Sequence, residues 1–376
     1  MSLDNPKISV LCPSYNHEKY VKYFIEGILN QTEQDFELII VDDNSTDNNV
    51  EEIKKFDDPR IKFIQHEYNK GVTAGLNSCF EKAKGKYIVL AASDDISEPH
   101  HLKYASEYLD NNPDINVFYS SLKLVDENNK NVEDKNNIFI RTNENKYNLL
   151  RTCFFLCNPL LSPGTMIRKS AFEKNMPLDL SLIQYQDYQI HIKLLLENEI
   201  FISSEPLVNY RMASQPENIS ANCFGTQIRE SLEEDKLMDT FLEIKDVQTL
   251  KNIFNEDILE MGEPTKETIP YFLGMLAINS NRRTRKNWGY QTIMKFIEKK
   301  ENFDLLNKLY GFDFKIFINL VKDFNVENQS NFELQQKIIE TKHRKYTRYK
   351  KLATILGLFL GGIILLNIIF GIYFLF

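Results

Sequence analysis

Phe36-Glu37-Leu38-Ile39-Ile40-Val41-Asp42-Asp43-Asn44-Ser45-Thr46-Asp47 is an apolar run of strand length that stops on acids and turn-forming residues. Two other runs share the pattern. Ile8-Ser9-Val10-Leu11-Cys12 leads into Pro13-Ser14-Tyr15-Asn16, and Tyr87-Ile88-Val89-Leu90-Ala91 leads into Ala92-Ser93-Asp94-Asp95. Short, continuous apolar runs suit strands buried on both faces of a parallel sheet. Helical stretches over 19–31, 50–56, 72–84 and 99–111 alternate with them, which predicts an α/β fold with a doubly wound, mostly parallel sheet. Ligands of such sheets bind outside the carboxyl ends of the strands. The three strand ends therefore bring a polar loop and two carboxylate pairs to one edge. That edge reads as a site for a nucleotide plus a divalent metal.

Working outward, residues 128–145 are polar and Asn-rich and read as a loop or mobile flap. The α/β unit continues beyond them, with a strand at Gly164-Thr165-Met166-Ile167-Arg168 and a helix over 185–197. From Thr226 the periodicity turns helical, as in Phe241, Leu242, Ile244 and Leu250, and in Leu305, Leu306, Leu309 and Tyr310. The expected division is 1–225 for the α/β domain, 226–341 for a helical C-terminal region, 342–351 for a basic segment and 352–376 for a transmembrane helix. The last stretch carries no charged residue, and as a helix its 25 residues would span about 37 Å against a hydrocarbon core of about 30 Å. Lys342, Arg344, Lys345, Arg348, Lys350 and Lys351 precede it, which places the N-terminal bulk on the cytoplasmic side by the positive-inside rule. The expectation is a single-pass anchor in the cell inner membrane.

The 376 residues are 43% hydrophobic, enough for a sizeable core, and the net charge is −8. Six of the cations sit in the 342–351 segment, so the remainder is more acidic still, which excludes a general nucleic-acid footprint. Cys12, Cys79, Cys153, Cys157 and Cys223 form no C-x-x-C, and their odd number fits reduced core residues. The polar N-terminus has no signal-peptide pattern. His100-His101 reads as surface. Arg282, Arg283, Arg285 and Lys286 beside Trp288 read as a solvated face, with an anionic headgroup or acceptor diphosphate as the alternative contact.

Pro13-Ser14-Tyr15-Asn16, Val41-Asp42-Asp43-Asn44-Ser45-Thr46-Asp47, Asn69-Lys70-Gly71-Val72 and Ala92-Ser93-Asp94-Asp95 occur in that order. Together they closely resemble the family 2 glycosyltransferases of GT-A fold, over roughly residues 6–215. The resemblance implies a nucleotide-sugar donor, UDP-linked, with Pro13, Tyr15 and Asn16 at the uracil and ribose, and Asp43 accepting the uracil N3–H. Asp42 is expected to be structural. The resemblance also assigns Asn69 and Gly71 to a third nucleotide loop, Ser93 and Asp94 to the acidic motif, and Arg211 of Asn209-Tyr210-Arg211 to the diphosphate. A Mg2+ or Mn2+ ion would be held by Asp94 first and Asp95 second, as Lewis acid for the departing diphosphate.

An inverting transfer also needs a carboxylate within reach of the acceptor hydroxyl. The family places it in a Glu-Asp pair that opens a helix; here the pair is Gln186-Asp187, and Asp187 is the expected base. The chain departs from the family at Ala92, where the first acid of Asp-x-Asp is missing, at Gln186, and at Ala213, where members often carry a His. The expected partners are a nucleotide-sugar donor, a glycan or lipid-linked glycan acceptor, and a membrane, without nucleic acid. Two rivals remain. A dehydrogenase or nucleotidyltransferase lacks its G-x-G-x-x-G or G-x-x-x-x-G-K-[ST] here. A non-catalytic nucleotide-binding or scaffold protein is favoured by the three departures.

Overall fold

The computed structural model describes residues 5–133, 139–211, 223–322 and 324. Met1–Asp313 form one compact unit, and Phe314–Phe376 belong to a second. The strands are β1 Ile8–Ser14, β2 Phe36–Asp42, β3 Ile61–Gln65, β4 Tyr87–Leu90, β5 Ile96–Ser97, β6 Ile115–Val125, β7 Asn131–Val132, β8 Met166–Arg168 and β9 Glu199–Arg211. They form one sheet in the order β3-β2-β1-β4-β8-β6-β9-β5, with β7 hairpinned on β6. The expected parallel sheet is its first half: β3, β2, β1 and β4 run parallel. The second half is mixed, because β8 runs antiparallel to both β4 and β6 while β6 and β9 are parallel.

The helices flanking the sheet are α1 Val21–Leu29, α2 Asn49–Ile53, α3 Val72–Lys82, α4 His101–Asn111, α5 Lys146–Phe155, α6 Lys169–Phe172 and α7 Gln186–Glu197. Val10, Cys12, Leu38, Ile40 and Val89 meet Val21, Phe24, Ile25 and Ile28 of α1 and Leu102, Ala105 and Leu109 of α4 in one core. The opposite pleats of β1 and β2 are also buried, and α3 covers them, with its Cys79 thiol on the Ile39 carbonyl. Burial on both faces explains why β1, β2 and β4 are apolar without alternation. Each fully buried Leu, Ile or Phe contributes roughly 1.5–3 kcal/mol, so this core outweighs any single polar contact in the site above it.

The helical region comprises α8 Phe224–Asp239, α9 Val247–Ile258, α10 Ile269–Ile278, α11 Arg283–Ile297 and α12 Lys300–Tyr310. It packs on the α/β part through Phe154 of α5, whose ring meets Phe241, Phe254 and Trp288 edge-on at 4.8–6.3 Å. In the second unit the described helix is α13 Phe314–Asn319.

One expectation is corrected. Among the described residues no helix is long and apolar enough to cross a membrane. The 342–351 and 352–376 segments lie outside the described residues, and the inner-membrane localisation read from them is withdrawn.

Candidate active site

The strand order reverses between β1 and β4: the chain steps outward through β2 and β3, then returns to the other side of β1. A crevice at such a reversal is where open α/β sheets bind ligands. The loops after β1, β2 and β4 converge there, and hydrogen bonds cross-link them. Asn16, in the left-handed region at φ 54°, donates its N–H to Ser45 Oγ, and its side chain accepts from the Thr46 N–H at 2.8 Å. The Glu18 N–H reaches Asp47, and the Glu18 carboxylate accepts from the Asn48 N–H. Asn residues tolerate positive φ where most side chains do not, so Asn16 and Asn44 (φ 60°) fit turns of this shape. Tyr15 in the same loop is 42% exposed. A Cβ on Gly75 of α3 would lie 2.8 Å from the Pro13 Cβ, so only glycine lets that helix approach the first loop.

Asp42 and Asp43 divide their labour. Asp42 is buried and accepts from the Ser45 N–H and the Asn49 amide, as expected of a structural acid. Asp43, 3% exposed, accepts from the Lys70 and Gly71 N–H groups at 2.8 and 2.7 Å and bonds His66 Nδ1 at 2.7 Å. It thereby fixes the loop of Asn69 and Gly71. A carboxylate has about four acceptor positions, so one is left for a ligand N–H. Asn69 is exposed, and Gly71 turns the chain into α3 at φ 86°.

The third cluster follows β4. Ser93 is buried and shares a 2.7 Å hydrogen bond with His17 Nδ1. That histidine closes the first loop, Pro13–His17, whose resemblance is to the family's uracil and ribose contact region. Asp94 is half-buried. Asp95 is buried; its Oδ1 accepts from the Arg211 N–H at 2.9 Å, and its Oδ2 has no partner among the described residues. Burial, and then the charge of Asp94, hold the Asp95 carboxyl well above the usual range. An orphaned buried oxygen beside a second carboxylate fits a divalent cation. No group of three or more His, Cys, Asp or Glu able to hold a metal occurs among the described residues, so two protein carboxylates are what this turn offers.

Arg211 closes β9 beside the acidic turn. It is 2% exposed and faces inward: its guanidinium donates to the Asp94 and Asp126 carbonyls and to Asn129 Oδ1, and it lies 4.4 Å from the centre of the Tyr20 ring. Its Nε braces the acidic turn, and its two terminal nitrogens hold the turn between β6 and β7. Ala213 lies outside the described residues.

Asp187 sits in the first turn of α7, half-buried. Burial raises its carboxyl above the ordinary aspartate value, opposed by the Tyr188 N–H at 2.6 Å and the Ser162 hydroxyl. Ser162 Oγ continues to His191 Nε2 at 3.2 Å, and His191 Nδ1 to Asn158 Oδ1. His191 is fully buried, and burial lowers its pKa to about 3, so it stays neutral. Burial first, then the charges of Asp95, Asp94 and Asp187, push the phenol of Tyr210 in β9 up to about 12.

Other expectations resolve differently. His101 is buried, not on the surface; its Nε2 bonds the Gly164 carbonyl at 3.0 Å, and burial lowers its pKa to about 4. Arg285 and Trp288 are interior rather than a solvated or headgroup-binding face. Arg285 pairs with Glu234 and donates to the Phe154 carbonyl, and Trp288 Nε1 donates to Asp239. Cys12, Cys79 and Cys153 are core thiols, whereas Cys157 and Cys223 are exposed.

Fold and site together define an α/β protein whose acids follow β2 and β4 at the carboxyl edge of the sheet. Residues 9–176 match the family model described as Glycosyl transferase family 2. An uncharacterized glycosyltransferase of Methanocaldococcus jannaschii is 35% identical over 223 residues, covering 58% of this chain and 75% of that one. The UDP-Glc:alpha-D-GlcNAc-diphosphoundecaprenol beta-1,3-glucosyltransferase WfgD of Escherichia coli is 30% identical over 59% of this chain and 83% of its own. Among solved structures, S. aureus TarS 1-349 in complex with UDP superposes with a TM-score of 0.55 at 19% identity, over 78% of this chain and 88% of that one, a likeness of fold. The chain belongs to glycosyltransferase family 2, with the GT-A fold, and is a glycosyltransferase.

Proposed function

We propose that this enzyme transfers a sugar from a UDP-sugar, with inversion, to a hydroxyl of a glycan or lipid-linked glycan. The observation that supports the reading is the convergence of the loops after β1, β2 and β4 at the strand-order reversal, where Asp95 Oδ2 has no partner among the described residues. The UDP in TarS and the UDP-glucose of WfgD support the donor class, and WfgD supports the acceptor class. Tyr15 stacks on the base, and Asp43 keeps one acceptor position for its N3–H while fixing the 69–71 loop. Asp94 and Asp95 would hold Mg2+ or Mn2+, the unpartnered Oδ2 of Asp95 being the fitting donor. Such an ion supplies charge neutralisation at the diphosphate. Asp187 accepts the proton of the acceptor hydroxyl as that oxygen attacks the anomeric carbon, and the bond to the nucleoside diphosphate breaks.

The test is a panel of sugar nucleotides, with and without Mn2+, read by release of nucleoside diphosphate. One donor should turn over, and slow hydrolysis without acceptor is expected. Asp187→Asn keeps shape and hydrogen bonding but not basicity, so transfer should fall about 10²–10⁴-fold with donor affinity preserved. Binding without turnover of any donor would favour the scaffold reading instead.

A further inference from the structure

Three backbone N–H groups point at one carboxylate just upstream of α7. Ile183 donates to Glu233 Oε1 at 3.1 Å, and Gln184 and Tyr185 donate to Oε2 at 2.8 and 3.0 Å. These are the last residues before the helix that opens on Gln186 and Asp187, and Glu233 belongs to α8, outside the sheet altogether. The neighbouring Leu182 carbonyl accepts from Thr73 Oγ1 of α3, and α7 has no side-chain cap at Tyr185. Neighbouring anchors come from the same region. Lys236, one turn further along α8, pairs with Asp179 at 2.7 Å and donates to Ser181 Oγ. Gln189 donates to Thr240 Oγ1.

We infer that Glu233 is a positioning residue for the reaction: its carboxylate fixes the 183–185 turn and thereby sets where Asp187 stands relative to the acceptor hydroxyl. The physical case is one of strength and place. Hydrogen bonds to a charged acceptor are about twice as strong as neutral ones, and three on consecutive residues leave that turn little rotational freedom. A displacement of a catalytic group by about 1 Å costs on the order of 10²-fold in rate. The helical region thus holds the base side of the crevice. The donor side is held by the sheet loops, none of which Glu233 touches in these bonds, so the effect should fall on turnover and not on donor affinity.

This inference rests on Asp187 being the base, and a double-mutant cycle separates the two. Glu233→Ala should lower kcat about 10–10²-fold with the donor KM within twofold, and amides 183–185 should exchange faster with deuterium. Glu233→Gln, isosteric and with one carbonyl oxygen for three donors, should fall between Ala and wild type, and it keeps the test sound if the Ala variant folds poorly. In an Asp187→Asn background the Glu233→Ala penalty should vanish, because a residue acting through Asp187 cannot cost anything further. Wild-type kcat in Glu233→Ala while Asp187→Asn is inactive would overturn the positioning role and leave the base intact. So would a full penalty persisting in the double variant, or a loss confined to donor KM. Wild-type turnover in Asp187→Asn alone would remove the base and this inference with it.

Discussion

At the residue scale, the titration of Asp187 connects structure to rate most directly. It must be ionised to take a proton, and burial favours its neutral form more than the Tyr188 N–H and Ser162 hydroxyl favour the anion. Its pKa is therefore raised, and kcat should fall on the acid side through an apparent pKa above the roughly 4 of a free aspartate. A pH profile of kcat checks this: a limb at or below about 4 would mean that another group limits turnover, and Asp187→Asn should abolish the limb. Asp43 carries the second residue-scale prediction. Asp43→Ala leaves the Lys70 and Gly71 N–H groups and His66 without their acceptor. Each charge-assisted bond is worth about 1.5–3 kcal/mol, so denaturant unfolding should show a loss of at least that size, together with weaker UDP binding by calorimetry. Both acids stand out in the sequence because each ends or follows a recognisable run. The partners of Arg211 were not legible there. Its Asn-Tyr-Arg stretch names a position, but only the structure gives its bonds to the Asp94 and Asp126 carbonyls.

At the scale of elements, legibility followed burial. β1, β2 and β4 are sandwiched between helices, so their sequences are unbroken apolar runs and were readable to within a residue or two at each end. β6 and β9 form the longest pair in the sheet, yet they were missed as strands. Ser203-Ser204-Glu205-Pro206 interrupts β9, and the register against β6 shifts there, at Tyr119/Ser121 and Ser121/Leu122. A bulged strand whose exposed stretch is polar gives no period of two to detect. In the basic cluster at the start of α11, Arg282 and Arg283 are exposed as expected of a solvated face, and Arg285 is the exception. Charge suggests solvent, but Arg285 is fully buried against Glu234, with Arg282 and Thr284 on the same carboxylate. Breaking one side of such a pair strands the other charge in the interior, at a cost of about 3–5 kcal/mol. Arg285→Ala should show that loss in denaturant unfolding. An exposed pair such as Lys251–Glu263, with the glutamate 86% exposed, should lose under about 1 kcal/mol when Lys251 is changed to Ala.

At the scale of the whole molecule, the helical region's role could not be read from sequence because its contacts with the α/β part are long-range. Glu233 meets residues about fifty positions upstream, and Arg285 meets Phe154 at a separation of 131. Neither leaves a local pattern. The change to helical periodicity places a boundary near 225, and both sides of it lie within the compact unit that runs to Asp313. The consequence is physical. A chain ending at 225 would keep the sheet but uncover Phe154, now packed by Phe241, Phe254 and Trp288. It would also lose Glu233, Lys236 and Thr240, which anchor the segment around Asp187. Exposed aromatic clusters of this size promote association, so fragment 1–225 should aggregate or elute with anomalous size. Any soluble fraction should bind UDP through the loops of β1, β2 and β4 without transferring sugar. A chain ending at Asp313 retains every one of these contacts and should unfold cooperatively, with transferase activity near that of the full chain. Size-exclusion chromatography, UDP calorimetry and turnover on the two fragments decide the matter. Transfer by fragment 1–225 at full rate would show that the sheet alone positions Asp187, and that the helices are an attachment rather than half of the active site's frame.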